Sequence, residues 1–378
     1  MREKSTSSGQ TAESRPLKVA VAMLTLVPGG MGGGETYARG LLRGLKSVKG
    51  VAATTYVSST AAGFSGEIPE VVCTEVRGGA STGERIRTLA AGLLKRRSLV
   101  ARMSGNDVFH VPFAVNLPVP PRAMPTVQTL CDVQHRDLPH LFSRVERLYR
   151  GFFYERAARK ADAIVTISQF AKQTIVEHLG VSPEKVFTAH LAVDADQFVP
   201  NLGAREDFIF YPARGWAHKN HAKLFDAMRL LETERPELRL VLTGGGLEHL
   251  TDVPANVDVK GLVPFAELLD LYRRAKCLVF PSLYEGFGLP PLEAMASGCP
   301  VAASTAGSLP EVCGDAAVMF DPHSPRAIAD AISEAIARTA ELQNKGLEQV
   351  RKFTWENCAN SHEDAYRFAV RQHSTARS

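Results

Sequence analysis

The feature that most narrows the possible folds is a strand–glycine–helix unit that opens the chain and is echoed in its second half. Residues 18–27 (KVAVAMLTLV) form a short run rich in valine and alanine, the pattern of a strand buried on both faces. A glycine cluster follows at 29–34. Residues 35–46 then carry Tyr37, Leu41, Leu42 and Leu45 at helical spacing. Residues 107–111, 126–130 and 163–167 read as further strands, 144–160 as a basic helix, and Ser168 as the cap of another. The second half repeats the theme. Strands are expected at 208–211, 238–242, 277–280 and 301–303, with helices at 221–231, 264–274, from 292, and at 325–340 behind a Ser324 cap. Strands alternating with helices imply parallel sheets covered on both faces.

The expected fold class is therefore α/β: two Rossmann-like, doubly wound domains in tandem, facing across a cleft. The expected divisions are a disordered tail at 1–16, domains at 17–195 and 205–355, and a helix at 356–378 that packs back across the first domain. Residues 192–207 lack periodicity and read as the linker. In such sheets ligands collect beyond the carboxyl ends of the strands, so the cleft is the expected site.

Composition excludes several classes. The chain has 378 residues, enough for two domains, and 45% hydrophobic and 22% charged residues are ordinary for a globular protein. No apolar stretch reaches the about 18 residues of a spanning helix. Residues 1–15 lack the apolar core of a signal peptide, so a cytoplasmic location is expected. Six cysteines without a C-x-x-C pair read as reduced thiols, not as a zinc site. The net charge of +4 is uneven: residues 1–200 carry +8 and the remainder −4. That asymmetry suggests an acidic ligand or anionic surface near the first half. Lys95-Arg96-Arg97, behind Ile86, Leu89, Leu93 and Leu94 at helical spacing, and Arg144, Arg147 and Arg150 fit either peripheral membrane contact or a solvated face. No recognition motif accompanies them, so no nucleic-acid partner is expected.

The most informative segment is 280–304, FPSLYEGFGLPPLEAMASGCPVAAS. It leaves a strand, turns through Gly286 and Gly288, and enters a helix, with Glu285 before the turn and Glu293 expected in the first helical turn. Glycines let backbone approach a ligand, and amides at a helix start favour anions. Two carboxylates flanking a phosphate-binding turn can accept hydrogen bonds from sugar hydroxyls. Arg214 and Lys219 precede another expected helix, where cations are unfavourable without a bound anion.

The spacing Glu285-x(7)-Glu293 within EGFGLPPLEAMASGCPV closely resembles the retaining glycosyltransferases of family 4, which have the GT-B fold. The resemblance extends through GGMGGGETYARGLL, TLCDVQH, AIVTISQFAK, YPARGWAHKNH, LVLTGGG and SLPEVCGDAA. It implies a metal-independent hexosyltransferase, with no cofactor, that moves a sugar from a nucleotide-diphosphate donor to an acceptor hydroxyl. The first domain would take the acceptor and the second the donor. Glu285 would bind hydroxyls of the donor sugar, the amides of Phe287, Gly288 and Leu289 the sugar and diphosphate, and Glu293 the ribose. Arg214 and Lys219 would neutralise the diphosphate, Gly32, Gly33 and Gly34 would meet the phosphates and acceptor, and Asp132 would orient a hydroxyl.

The family often has histidine where Cys131 stands. A thiol is a weak donor and cannot replace a charged imidazole. Either His110 or His135 fills the role, or this acceptor does not need it. Asp194-Ala195-Asp196 matches a metal-binding D-x-D pattern of a different transferase fold, but lies in the linker and reads as a decoy. Rival readings are an inverting transferase, a nucleotide-sugar epimerase, and a catalytically inactive nucleotide-sugar-binding subunit. Inversion would want a base near the first glycine loop; residues 17–40 hold no histidine, and Glu35 begins the helix. Base, sugar, acceptor and oligomeric state are not legible in the sequence.

Overall fold

The computed structural model describes residues 15–79, 81–194 and 196–375. Of the expected tail at 1–16, residues 1–14 therefore lie outside the described residues, while Arg15 is paired with Asp107 at 2.8 Å. The first sheet contains β1 (Leu17–Met23), β2 (Val51–Ser58), β3 (Glu70–Cys73), β4 (Val108–Val111), β5 (Thr126–Thr129), β6 (Ala163–Thr166) and β7 (Val186–Thr188). All pairings are parallel, in the order β3-β2-β1-β4-β5-β6-β7. The second contains β8 (Glu206–Pro212), β9 (Arg239–Thr243), β10 (Val257–Gly261), β11 (Ala275–Phe280), β12 (Val301–Ser304) and β13 (Val318–Phe320), also parallel, in the order β10-β9-β8-β11-β12-β13. The two sheets form the two Rossmann-like units of a GT-B fold.

Valine and alanine dominate β1 because helices cover both of its faces: Val19 to Met23 are all buried. In each sheet the winding reverses beside the first strand, between β1 and β4 and between β8 and β11. Loops at that reversal part to opposite faces and leave a crevice.

The basic helix at 144–160 begins with a capping box, Ser143 with Glu146, and runs unbroken through a π turn at Gly151–Glu155. Ser168 caps the helix Gln169–Leu179, accepting from the Ala171 amide. Ser324 likewise caps the helix Pro325–Ala337.

The last helix, Trp355–Thr375, crosses to the first unit and lies against β4 to β7 and the helix Gly33–Ser47. Close approach requires glycine there: a Cβ on Gly44 would sit 2.0 Å from the Trp355 carbonyl oxygen. A buried chain of hydrogen bonds seals the contact, and its polarity follows from one end. The Cys358 carbonyl accepts from His362 Nδ1 at 2.7 Å. His362 Nε2 therefore accepts from the Tyr37 hydroxyl at 2.8 Å, and Tyr37 accepts from Thr129 at 2.8 Å. Thr129 accepts from His110 Nε2 at 2.9 Å, which leaves His110 Nδ1 to accept from Tyr366 at 2.9 Å. Both imidazoles are neutral in this arrangement. Burial pushes His110 well below its usual range and His362 down to about 4.

Candidate active site

A cleft of ≈ 900 Å³ opens between the carboxyl ends of the two sheets. The loops after β1, β4, β8 and β11 reach it, each from beside a point of reversed winding, and the loop after β5 joins them.

From the first unit come Gly32, Gly33 and Gly34. Gly32 caps the helix Gly33–Ser47 with φ 52° and ψ −127°, a conformation open to glycine alone. Glu35 does not face the cleft as a base would. Its Oε2 accepts from the Gly29 amide at 2.7 Å and its Oε1 from Arg39 at 2.9 Å, so it fastens the glycine loop.

The second unit supplies the charges. Lys219 Nζ lies 2.6 Å from Glu285 Oε1, and both side chains are largely enclosed, at 14% and 13% exposure. The sequence places this lysine on a diphosphate; in the structure its partner is Glu285. Four hydrogen bonds around it hold the pair. Tyr211 donates to the Lys219 carbonyl at 2.7 Å, Asn220 donates to the Pro281 and Pro322 carbonyls, and the Glu285 carbonyl accepts from the Ser308 hydroxyl at 3.0 Å. Arg214 is exposed, with its guanidinium 5.3 Å from the Trp216 ring centroid. Among the described residues it has no acidic partner, and it stands opposite Gly32.

Glu293 lies in the second turn of its helix, not the first as expected. The helix starts at Leu289, behind Gly288 at φ 105°. Pro290 and Pro291 follow, so of the first three helical residues only Leu289 has an amide to offer an anion. The anion-binding capacity expected of this helix start is correspondingly reduced, although Phe287, Gly288 and Leu289 all line the cleft. Tyr272, which sequence reasoning missed, is fully buried and donates to Glu293 Oε2 at 2.6 Å. Burial pushes the Glu293 carboxyl up, and this bond draws it back in part.

Asp132 faces this group from the first unit. A Cβ built on Gly286 would lie 3.1 Å from Asp132 Oδ2. Burial raises the Asp132 carboxyl, the Gln134 amide and the charge of Arg150 oppose the rise, and Glu285 adds to it. Cys131 also lines the cleft. Burial and the Asp132 charge push its thiol up to about 12, so it is neutral near pH 7.

Neither alternative histidine reaches this space. His110 is locked beneath the last helix, and His135 is 2% exposed and bonded to Glu155 at 2.9 Å. Among the described residues no histidine lines the cleft. Asp194 is paired with Arg43 at 2.5 Å, outside the cleft.

The two units touch beside Glu285. Ser168 donates to the Gly286 carbonyl at 2.7 Å. Glu311, from the helix Leu309–Cys313, accepts from the amides of Gln169 at 2.8 Å and Phe170 at 3.1 Å and pairs with His190 at 2.5 Å. Burial pushes this carboxyl up, but His190 and the two amides more than offset it and hold it below the usual range. The sequence reading missed Glu311 too; only its place in SLPEVCGDAA marked it.

The model for Glycosyltransferase Family 4 matches residues 31–197, and that for Glycosyl transferases group 1 matches 193–353, so the two meet end to end at the linker. The chain is 29% identical over 298 residues to O-antigen chain mannosyltransferase B of Escherichia coli, covering 72% of this chain and 77% of that protein. It is 32% identical over 241 residues to the serotype-specific mannosyltransferase WbdA of Escherichia coli, covering 56% of this chain. The match spans only 30% of WbdA's length. Among solved structures, sucrose-phosphate synthase from Thermosynechococcus elongatus superposes with a TM-score of 0.72 at 20% identity, over 96% of this chain and 100% of that one. That likeness speaks for the fold.

Proposed function

The chain belongs to the GT-B glycosyltransferases of the family 4 type, and on that premise we propose that it is a retaining hexosyltransferase that uses a nucleotide-diphosphate sugar without a metal ion. The mannosyltransferase names of its relatives make mannose the first sugar to test. The observation that carries the reading is the enclosed Lys219–Glu285 pair, 2.6 Å apart and faced by Asp132.

In this reading Glu285 accepts hydroxyl protons of the donor sugar, and Glu293, braced by Tyr272, holds the ribose. The Leu289 amide, Arg214 and Lys219 meet the diphosphate. As the sugar–phosphate bond breaks, its electron pair stays on the phosphate oxygen, and these fixed positive groups stabilise the charge that develops there. They supply what a metal ion would otherwise supply. The acceptor oxygen bonds to the anomeric carbon on the same face, and its proton passes to the departing phosphate. Asp132 orients the acceptor hydroxyl. Apposition of the two units excludes water.

The test is incubation of the purified chain with nucleotide-diphosphate mannoses and saccharide acceptors, with product configuration read by NMR. Transfer with the donor's anomeric configuration preserved is expected. Inversion, or an epimer formed without acceptor, overturns the reading. That no histidine among the described residues lines the cleft favours one rival, the inactive binding subunit. That rival predicts donor binding, seen as about 2.7 kcal/mol of added stability at about 100 times Kd, with no turnover.

A further inference from the structure

We propose that the basic helix at 144–160, together with the helix Thr82–Leu94 and the segment after it, docks an anionic lipid bilayer at the rim of the cleft. The first observation is where apolar surface is left uncovered. The first unit has eight exposed large apolar side chains among its described residues, and seven of them lie on these two helices. Val145, Leu148 and Phe152 are 76%, 75% and 58% exposed, and Leu94 is 84% exposed. A packed, fully solvated helix gains nothing from such a stripe, whereas a helix lying in a headgroup layer buries it.

The second observation is charge. Residues 82–102 carry six cations and one acid, and residues 144–160 carry six cations and two acids. These segments hold a net +9 in a chain whose total is +4, so the rest is net negative. Arg144, Arg147, Arg156 and Lys160 have no acidic partner among the described residues. They line a second cavity of ≈ 920 Å³, which Leu148 and Phe152 also border.

The third observation is a polar atom left waiting there. His135 lines the same cavity and is 2% exposed. Its Nε2 faces Glu155, while its Nδ1 is buried without a partner. Arg136 and Arg159 already compensate Glu155, so the remaining cations are unspent. A phosphate headgroup meets this chemistry: cations around its oxygens, and an imidazole that becomes a donor when it takes a proton.

The same helix reaches the active site, because Tyr149 and Tyr154 line the main cleft. A bilayer on its outer face therefore brings the cleft mouth to the headgroup layer, where a membrane-anchored acceptor presents its sugar. Docking itself does not depend on which sugar is moved.

The test is co-sedimentation of the full chain with vesicles of phosphatidylcholine alone and of phosphatidylcholine mixed with phosphatidylglycerol, without donor or acceptor. Binding to the mixed vesicles only, weakened by salt, is expected. Arg144→Gln and Arg147→Gln each reduce it about fivefold, and Leu148→Ser with Phe152→Ser abolishes it. These side chains lie outside the cleft, so thermal unfolding and turnover of a water-soluble acceptor stay at wild-type values. Equal binding to both vesicle types overturns the proposal, as does unchanged binding by the variants. Capture of inorganic phosphate without vesicle binding overturns it in favour of a soluble anion, and a dimer dispersed by the serine variants in favour of a second copy. Because vesicle binding is read without donor or acceptor, its failure leaves the transferase reading standing.

Discussion

Glu311 offers a direct test of whether contact between the two units matters to the reaction. Its carboxylate accepts two amides from the first unit, at 2.8 and 3.1 Å. Hydrogen bonds to a charged group contribute about 1.5–3 kcal/mol each, so Glu311→Ala removes about 3 kcal/mol at the low end. A loss of that size moves the balance between apposed and separated units roughly 150-fold. Ser168 still caps its helix in the variant, so the fold survives. Small-angle scattering is expected to show a wider molecule without donor and recovery when donor is added. The donor's binding energy then serves to re-form the contact, and kcat/KM falls by up to the same factor. Glu311→Gln keeps an acceptor oxygen without the charge and falls between. Acidification mimics the variant. The apposed carboxyl is held below the usual range, so a separated Glu311 binds its proton at a higher pH than an apposed one. The contact is thus intact above that window and lost as pH falls through the depressed value. Scattering and kcat/KM of Glu311→Ala that match wild type would refute this reasoning.

Three further outcomes are expected. Tyr272→Phe leaves the Glu293 carboxylate without its buried donor at 2.6 Å; the donor KM should rise about tenfold or more with kcat little changed, and an unchanged KM argues against a ribose role for Glu293. Gly44→Ala sets a methyl against the Trp355 carbonyl, so the last helix is displaced and stability drops by at least about 1–3 kcal/mol; a melting temperature equal to wild type would contradict this. His362 refuses a proton until about 4 in the fold but takes it near 6.5 when unfolded, so stability is full above that window and falls by about 3 kcal/mol as pH drops through it. Denaturant titrations across this range check the slope, which His362→Ala should flatten.

Much of this architecture is legible in the sequence because two-sided burial leaves a plain mark. β1, β4, β6, β8 and β11 are valine-, isoleucine- or phenylalanine-rich runs next to glycine or cap residues; the last four lie within two residues of their expected limits, while the expected β1 runs four residues beyond Met23. The strands not anticipated, β2, β3, β7, β10 and β13, carry weaker marks. Thr54 and Thr55 dilute β2, β10 is a half-exposed edge strand, and β7 and β13 have three residues each. At the site, the chain's order shows Glu285 and Glu293 but not what holds them. Tyr272 looks like one more core residue of a helix, and Glu311 lies 142 positions from an amide it holds. Partners so distant in sequence leave no spacing to detect. His110 shows the opposite error: its position at a strand end suggested the cleft, but side chains alternate across a strand and His110 points to the side the last helix covers.

The crossing of the last helix also has a consequence for how the molecule is born. The first sheet is complete once residue 188 has left the ribosome, yet the face that Trp355–Thr375 covers has no lid until that last helix has itself been made. At about 5–20 residues per second that leaves roughly 10–40 s in which the nascent half waits unfinished. A ribosome stalled before Trp355 would thus carry a sticky intermediate, and chaperone capture should peak at such lengths and vanish after release.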